Sequence, residues 1–353
     1  DVLAAERVTA IARHLSAPRD KVFVLAMEGP LYELDVRTLE TTKVCDLTEE
    51  LALPPGSQPH FKGMASAQGR LVVANNSYDE RDYLGKHAAG RLAWWDGEGA
   101  WETLEESPYI EVSAKTSPCS AAEYGDTLYA LGWDRLSVIL RVLHGGQWRR
   151  YRLPFGSHAW EHTWNTEWMR IREVQTERYL MDAFGIFYDL SVLTYGGHVW
   201  GVRPIASHLR VVPDLVHWRG MLVLAGDQTD NATGQPQSGL WFGDVDDLWS
   251  WGRPAGWGAL WRDQPLERGE ASDPFLMTGF GPGTLHLAND GEGAAWIEIE
   301  VDPLGDGDWH VLEKLTVPPG GYLAHVFPEG FGAHWLRVRA VNACTATAVV
   351  HYR

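Results

Sequence analysis

The sequence predicts an all-β chain, a single seven-bladed β-propeller over residues 1–353, and three observations carry that prediction. Aromatic and turn residues are abundant and evenly spread, one strand unit recurs along the chain, and sustained amphipathic helix is scarce. Aromatics make up 11% of the residues with 18 Trp, and the 37 Gly and 19 Pro are distributed rather than gathered into a linker. That is the composition of many short strands joined by turns.

The recurring unit begins at Lys21, Gly69, Asp126, Glu177, Gly220 and Gly283, each time with a polar or Gly turn followed by an apolar first strand. Successive starts lie about 40 to 65 residues apart, the spacing of one four-stranded blade after another. In the first unit, Val22 to Ala26, Leu31 to Asp35 and Thr42 to Asp46 read as three strands, with Glu28-Gly29-Pro30 as a turn. The same order returns at Leu71 to Ala74, Arg91 to Trp95 and Trp101 to Leu104. Strands after Ala333 and after Ala346 supply a seventh set. They are expected to share a closing blade with the N-terminal segment at Arg7 to Ile11, because a ring must seal its first blade to its last. The best helix candidate, Asp244 to Trp251, spans one or two turns.

Charge and motifs exclude several function classes. With 47 acidic against 30 basic residues the formal charge is −17, so nucleic acid is a poor partner. No apolar run reaches the roughly 20 residues of a membrane helix, and the chain start lacks a basic region followed by an apolar core. The chain is therefore expected to be a soluble monomer, secreted or periplasmic, with its signal peptide removed. Cys45, Cys119 and Cys344 match no metal-ligand spacing and read as isolated buried thiols, with at most one disulfide. Dinucleotide and phosphate loops are absent, and no cofactor is required.

Three stretches do not read as scaffold. Residues 158–178 are dense in His, Trp, Arg and Glu, and in an extended chain Trp168, Arg170 and Arg172 share one side. A Trp beside two Arg suits a sugar acid, the ring stacking on the pyranose and a guanidinium pairing with the carboxylate. The competing reading is an ion-paired ladder between blades, made with Glu167 and Glu173. At Pro59-His60-Phe61-Lys62, a base and a cation two residues apart point to one side of a strand entrance, although a lone His is often structural. Arg203, His208 and Arg210 fall within eight residues, followed by Asp227, Gln228 and Asn231, which turn chemistry alone also explains.

Several long motifs carry a resemblance: Thr166 to Val174, Glu177 to Asp182, Gly201 to Arg210, Gly234 to Gly243 and Asp273 to Phe280. From about Val22 to the C-terminus the chain resembles seven-bladed propeller enzymes that remove terminal L-rhamnose from rhamnosyl-glucuronic acid ends of arabinogalactan proteins. That group contains L-rhamnose-α-1,4-D-glucuronate lyases and a relative described as an α-L-rhamnosidase. The resemblance implies a plant-type acidic polysaccharide or oligosaccharide as partner and a structural Ca²⁺ in the central channel, for which no Asp spacing marks ligands. Two departures stand out: Phe184 where a His is expected and Met169 where a Pro is common.

On the lyase reading, glucuronate is cut by β-elimination. A base takes the C5 proton, a cation neutralises the carboxylate, and an acid protonates O4 as rhamnose leaves. His60, His162 and His208 are the expected acid-base residues, with Lys62, Trp168, Arg170, Arg172, Arg203 and Arg210 binding the substrate. A hydrolase would instead need paired carboxylates, for which Glu161, Glu167 and Asp227 are available. A catalytically silent carbohydrate-binding propeller would use the same Trp and Arg without a positioned base.

Overall fold

The computed structural model describes residues 6–78, 89–114, 127–156, 168–175, 178–190, 202–210, 212–230 and 235–353, with 227–230 and 235–238 in backbone only. The protein is all-β, and the chain divides into two compact units, residues 1–134 with 141–149 and residues 135–140 with 150–353. No helix among the described residues is long and apolar enough to cross a membrane.

In the first unit two antiparallel meanders follow one another. The first is β1 (Val8–Arg13), β2 (Lys21–Ala26), β3 (Pro30–Asp35) and β4 (Thr41–Asp46). The second is β5 (Phe61–Ala67), β6 (Arg70–Asn75), β7 (Arg91–Trp95) and β8 (Glu102–Glu105). Next, β9 (Tyr109–Ala114) pairs with β10 (Leu128–Trp133), and β11 (Val138–His144) and β12 (Gln147–Leu153) follow in the chain. Strand β5 lies against both β1 and β9, so the first strands of successive sheets stand side by side, as in the blades of a propeller. A glycine makes the approach to β9 possible: a Cβ on Gly63 would sit 2.8 Å from the Val112 nitrogen and 3.0 Å from the Ile110 oxygen. Those are backbone atoms that cannot step aside.

The second unit continues with β13 (Arg170–Gln175), β14 (Arg178–Ala183), β15 (Ile186–Leu190) and β16 (Arg203–Ser207) as one meander. A three-stranded meander follows, β17 (Leu215–Trp218), β18 (Met221–Asp230) and β19 (Gln235–Gly243), with β17 beside β13. The short helix expected after Asp244 is a single 3₁₀ stretch, Val245–Ser250, capped by reciprocal bonds between Asp244 and Asp247.

Tight hairpins recur between the first and second strands of these sheets. Gln68 and Gly69 have φ of 50° and 70°, and Arg219 and Gly220 have 51° and 85°, positive at both central positions as a type I′ turn requires. These turns explain why the sequence repeat is visible but displaced. The apolar runs starting near Lys21, Gly69, Asp126, Glu177 and Gly220 are the second strands of their sheets, not the first. Each is preceded by a strand whose mixed composition, such as FKGMASA or RIREVQ, hides its period.

The remaining strands differ from the expected blades. They are β20 (Gly256–Leu266), β21 (Phe275–Leu276), β22 (Gly283–Asn289), β23 (Ala295–Asp302), β24 (His310–Val317), β25 (Tyr322–Val326), β26 (Trp335–Ala340) and β27 (Cys344–Tyr352). They pair in the orders β20-β27-β22-β25 and β24-β23-β26-β21. Leu285, Leu287, Ala348 and Val350 of one sheet and Ile297, Ile299, Leu336 and Val338 of the other share one apolar core, the mark of a sandwich. This corrects the seven-blade expectation: the unit beginning at Gly283 is a sandwich strand, β1 has β2 as its ladder partner, and β26 and β27 pair with β20 to β23. Between β12 and the sandwich, Arg152 is buried, its Nε donating to Asp273 Oδ2 at 2.8 Å and its Nη1 to Ser137 Oγ at 2.9 Å. Cys45 and Cys344 are free and half-buried, and burial raises the Cys45 thiol to about 11.

Candidate functional site

His60 and Lys62 belong to the first unit, at the entrance to β5. The backbone of His60 is clamped on both sides: its N–H donates to Ser77 Oγ at 2.9 Å and its carbonyl accepts from Asn76 N at 3.1 Å. The Asn75 side chain in turn accepts from Ser77 N, and Gln58 and Tyr78 form an isolated bridge beyond. Asn75, Asn76 and Ser77 are all buried, so this turn is a fixed support rather than a loose loop. The ladder between β5 and β6 shifts register between Phe61 and Gly63, which makes Lys62 the extra residue of a β-bulge. Bulges re-aim side chains and often occur beside active sites.

The His60 ring is half-buried, with the Tyr78 ring edge-on at 5.9 Å and Tyr78 itself 45% exposed. Burial above all, and then the positive charge of Lys62, lowers His60 from 6.5 to about 4; the Asn76 side chain opposes the shift through a hydrogen bond. Arg7, paired with Glu28, adds a smaller lowering. At neutral pH this corner therefore presents a neutral imidazole, with the charge of Lys62 acting on it and the Tyr78 ring at its edge. Tyr78 was not among the residues expected from the sequence. Its spacing of 18 residues from His60 carries no motif, and only the pairing of β5 with β6 brings the two together.

In the second unit Arg170 pairs across the ladder with Asp182, placing both on one face of the sheet. Asp182 Oδ1 is 3.0 Å from His208 Nε2, and both residues are buried. The His208 ring stacks on Phe187 at 4.2 Å. Trp168 lies under the Arg170 guanidinium at 5.7 Å, and Arg210 stands over Trp251 at 5.4 Å, with Trp251 edge-on to Phe187 at 5.9 Å. Trp168, Arg170, His208 and Arg210 are thus gathered along one chain of contacts.

Arg172 and Arg203 serve other neighbours. Arg172 pairs with Asp214 at 2.9 Å, tying β13 to the segment before β17. The same pair lines a groove of about 620 Å³ together with Val216, Trp218, Leu240 and Phe242. Arg203 is exposed, pairs with Asp189 at 3.5 Å and covers Trp249 at 4.7 Å. The expected alternation holds for buried Met169 and Ile171; Glu173 is exposed, and the ladder shifts register after it, between Glu173 and Gln175.

Phe184, at the position where the resemblance implies His, is the first central residue of a two-residue turn, with φ of 50° followed by Gly185 at 79°. It is buried and its ring meets Phe155 edge-on at 4.9 Å, so this position is a packed hairpin tip. His162, Glu161 and Glu167 lie outside the described residues, as does the side chain of Asp227. Among the described residues no three His, Cys, Asp or Glu converge as a metal-ligand set.

No protein-family model matches the chain, and no curated protein matches it. Among solved structures it is similar to an exo-β-1,3-galactanase from Phanerochaete chrysosporium with galactose, at 10% identity over 99% of this chain and 96% of that one, with a TM-score of 0.31. It is also similar to a β-fructofuranosidase from Bombyx mori in complex with sucrose, at 9% identity over 98% and 90% of the two chains, TM-score 0.28. The computationally designed Ika8 protein overlaps 94% of this chain and 83% of its own at 14% identity, TM-score 0.36. Overlaps this loose establish neither a shared fold nor a shared activity.

Proposed function

We propose that the protein is a propeller-type carbohydrate-active enzyme that releases terminal L-rhamnose from rhamnosyl-glucuronic acid ends of arabinogalactan-type polysaccharide by β-elimination. The observation that supports this reading best is the His60 corner: an imidazole kept neutral by burial and by the neighbouring Lys62, with the Tyr78 ring at its edge.

β-Elimination needs these three chemistries together. His60 accepts the C5 proton of glucuronate, and Lys62 pairs with the carboxylate and holds the negative charge that develops on it. The C4–O4 bond breaks, its electron pair leaves with rhamnose, and the Tyr78 hydroxyl returns a proton to that oxygen. The products are free rhamnose and a 4,5-unsaturated uronate. An extracellular polymer as substrate goes with a secreted or periplasmic monomer.

The test is incubation with gum arabic while unsaturated-uronate absorbance and free rhamnose are followed together. Both signals should rise in step, and His60→Ala should lower turnover by roughly 10²-fold or more. Rhamnose without absorbance would make the protein an α-L-rhamnosidase-type hydrolase. Neither signal would leave a carbohydrate-binding protein without this activity.

A further inference from the structure

The outer face of the sandwich sheet β20-β27-β22-β25 carries an unusual set of side chains for a surface exposed to water. On β22, Leu285 and Leu287 point into the core while Thr284, His286 and Ala288 alternate outward. On β27 the outward positions are Thr345, Thr347, Val349 and His351, and on β25 they are Tyr322, Ala324 and Val326. A sheet with one wet face normally shows charged and polar residues there. These three strands show no Asp, Glu, Lys or Arg at any outward position, in a chain whose residues are 22% charged.

The register lines up the rings. Trp257, His351, Thr284 and Val326 form one row across the four strands, and Val349, His286 and Ala324 form the next. Trp257 and His351 stack at 6.2 Å, His351 meets His286 at 5.1 Å, and His286 lies nearly parallel to Tyr322 at 6.0 Å. His286 Nδ1 and the Tyr322 hydroxyl are 2.7 Å apart, which fixes both rings. Tyr322 is 62% exposed and Val326 66%.

We propose that this strip binds a neutral pyranose polysaccharide, separately from the His60 corner. A pyranose ring offers an apolar C–H face and a rim of hydroxyls, matched here by ring faces with polar edges and by threonine hydroxyls. The charged groups nearest the strip lie beside it, Asp263 of β20 accepting from the Thr347 hydroxyl at 3.2 Å and Arg353 following β27. The strip itself is made of rings and hydroxyls with no Lys or Arg on β22, β25 or β27, so the ligand is the uncharged part of a glycan. The inference rests on the carbohydrate reading above but not on its chemistry or on His60.

The test uses the full chain and insoluble neutral polysaccharides, namely cellulose, xylan and β-1,3-galactan, in pull-down, with soluble oligosaccharides of the retaining polymer in calorimetry. The wild type should be retained by at least one of them, and Tyr322→Ala with His286→Ala should weaken that binding about tenfold or more. The thermal midpoint should stay within a few degrees, since both side chains face outward. His60→Ala should bind like the wild type, and gum arabic turnover should be the same in the double variant as in wild type. Retention with no rhamnose or uronate signal would sink the proposed activity and leave the strip standing. No retention on any of the three polymers, or equal retention by the double variant, would overturn the strip. So would a concentration-dependent dimer in sedimentation that Tyr322→Ala abolishes, because the occupant would then be a second copy of the chain. Should the double variant fold poorly, Tyr322→Glu alone carries the same test.

Discussion

His60 links the fold to pH in a way that does not depend on any assumed activity. Its imidazole sits at about 4 in the fold, against 6.5 ordinarily, because burial and then Lys62 disfavour the charged form. Between those two values the unfolded chain binds more protons than the folded one. Stability is therefore fully present above pH 6.5 and is lost as pH falls toward 4. At 1.36 kcal/mol per tenfold change, the loss from this one group would be about 2 kcal/mol by pH 5 if the ring were wholly enclosed. The ring is only half-buried, so about 1 kcal/mol is the expected figure after screening. Urea unfolding of the wild type and of His60→Gln at pH 7.5 and pH 5 measures it. Glutamine cannot titrate, so the drop in stability between the two pH values should be smaller in the variant by about that amount, while carboxylates titrating in the same range cancel in the comparison. Equal drops in the two proteins would refute the argument and mean that the folded imidazole is not held low.

Three further outcomes follow from the packing. Asp273→Ala removes the carboxylate that meets Arg152 at 2.8 Å, and because Arg152 is buried the cost should be about 3 kcal/mol, read as a lower denaturation midpoint. Gly63→Ala pushes a methyl against the β9 backbone at 2.8 Å and should destabilise by about 2 kcal/mol or more, whereas Gly69→Ser, at an open hairpin tip, should cost less than that. Asp182→Asn keeps the shape but weakens the bond that holds His208, with an expected loss of about 1.5 kcal/mol in urea unfolding.

Much of the fold was legible because strand signals are local. The strands at Val22, Leu31, Thr42, Leu71 and Arg91 lie within a residue or two of where alternation and turns place them. The repeat was legible too, but offset by one strand. Second strands such as β2 and β6 are apolar on both faces and stand out, as does the first half of β18, whereas first strands such as β5 and β13 mix Gly, Lys and Arg with their core residues. Trp168, Arg170, His208 and Arg210 were named from local density, and the sheet does gather them. Asp182, which joins two of them, gave no separate signal inside an apolar strand.

The all-β class, the turn positions and the polar clusters are readable from the chain alone, since each depends on neighbours within a few residues, and the acidic charge is a plain sum over the residues. Only the tertiary structure decided which sheet each strand joined. Strand alternation has the same period in a blade as in a sandwich, so β22 and β27 read as blades until their partners were seen. The same holds for Tyr78 beside His60 and for the chain of ring contacts from Trp257 through His351 and His286 to Tyr322. Those neighbours meet through strand register across long stretches of chain, a relation that no local pattern encodes.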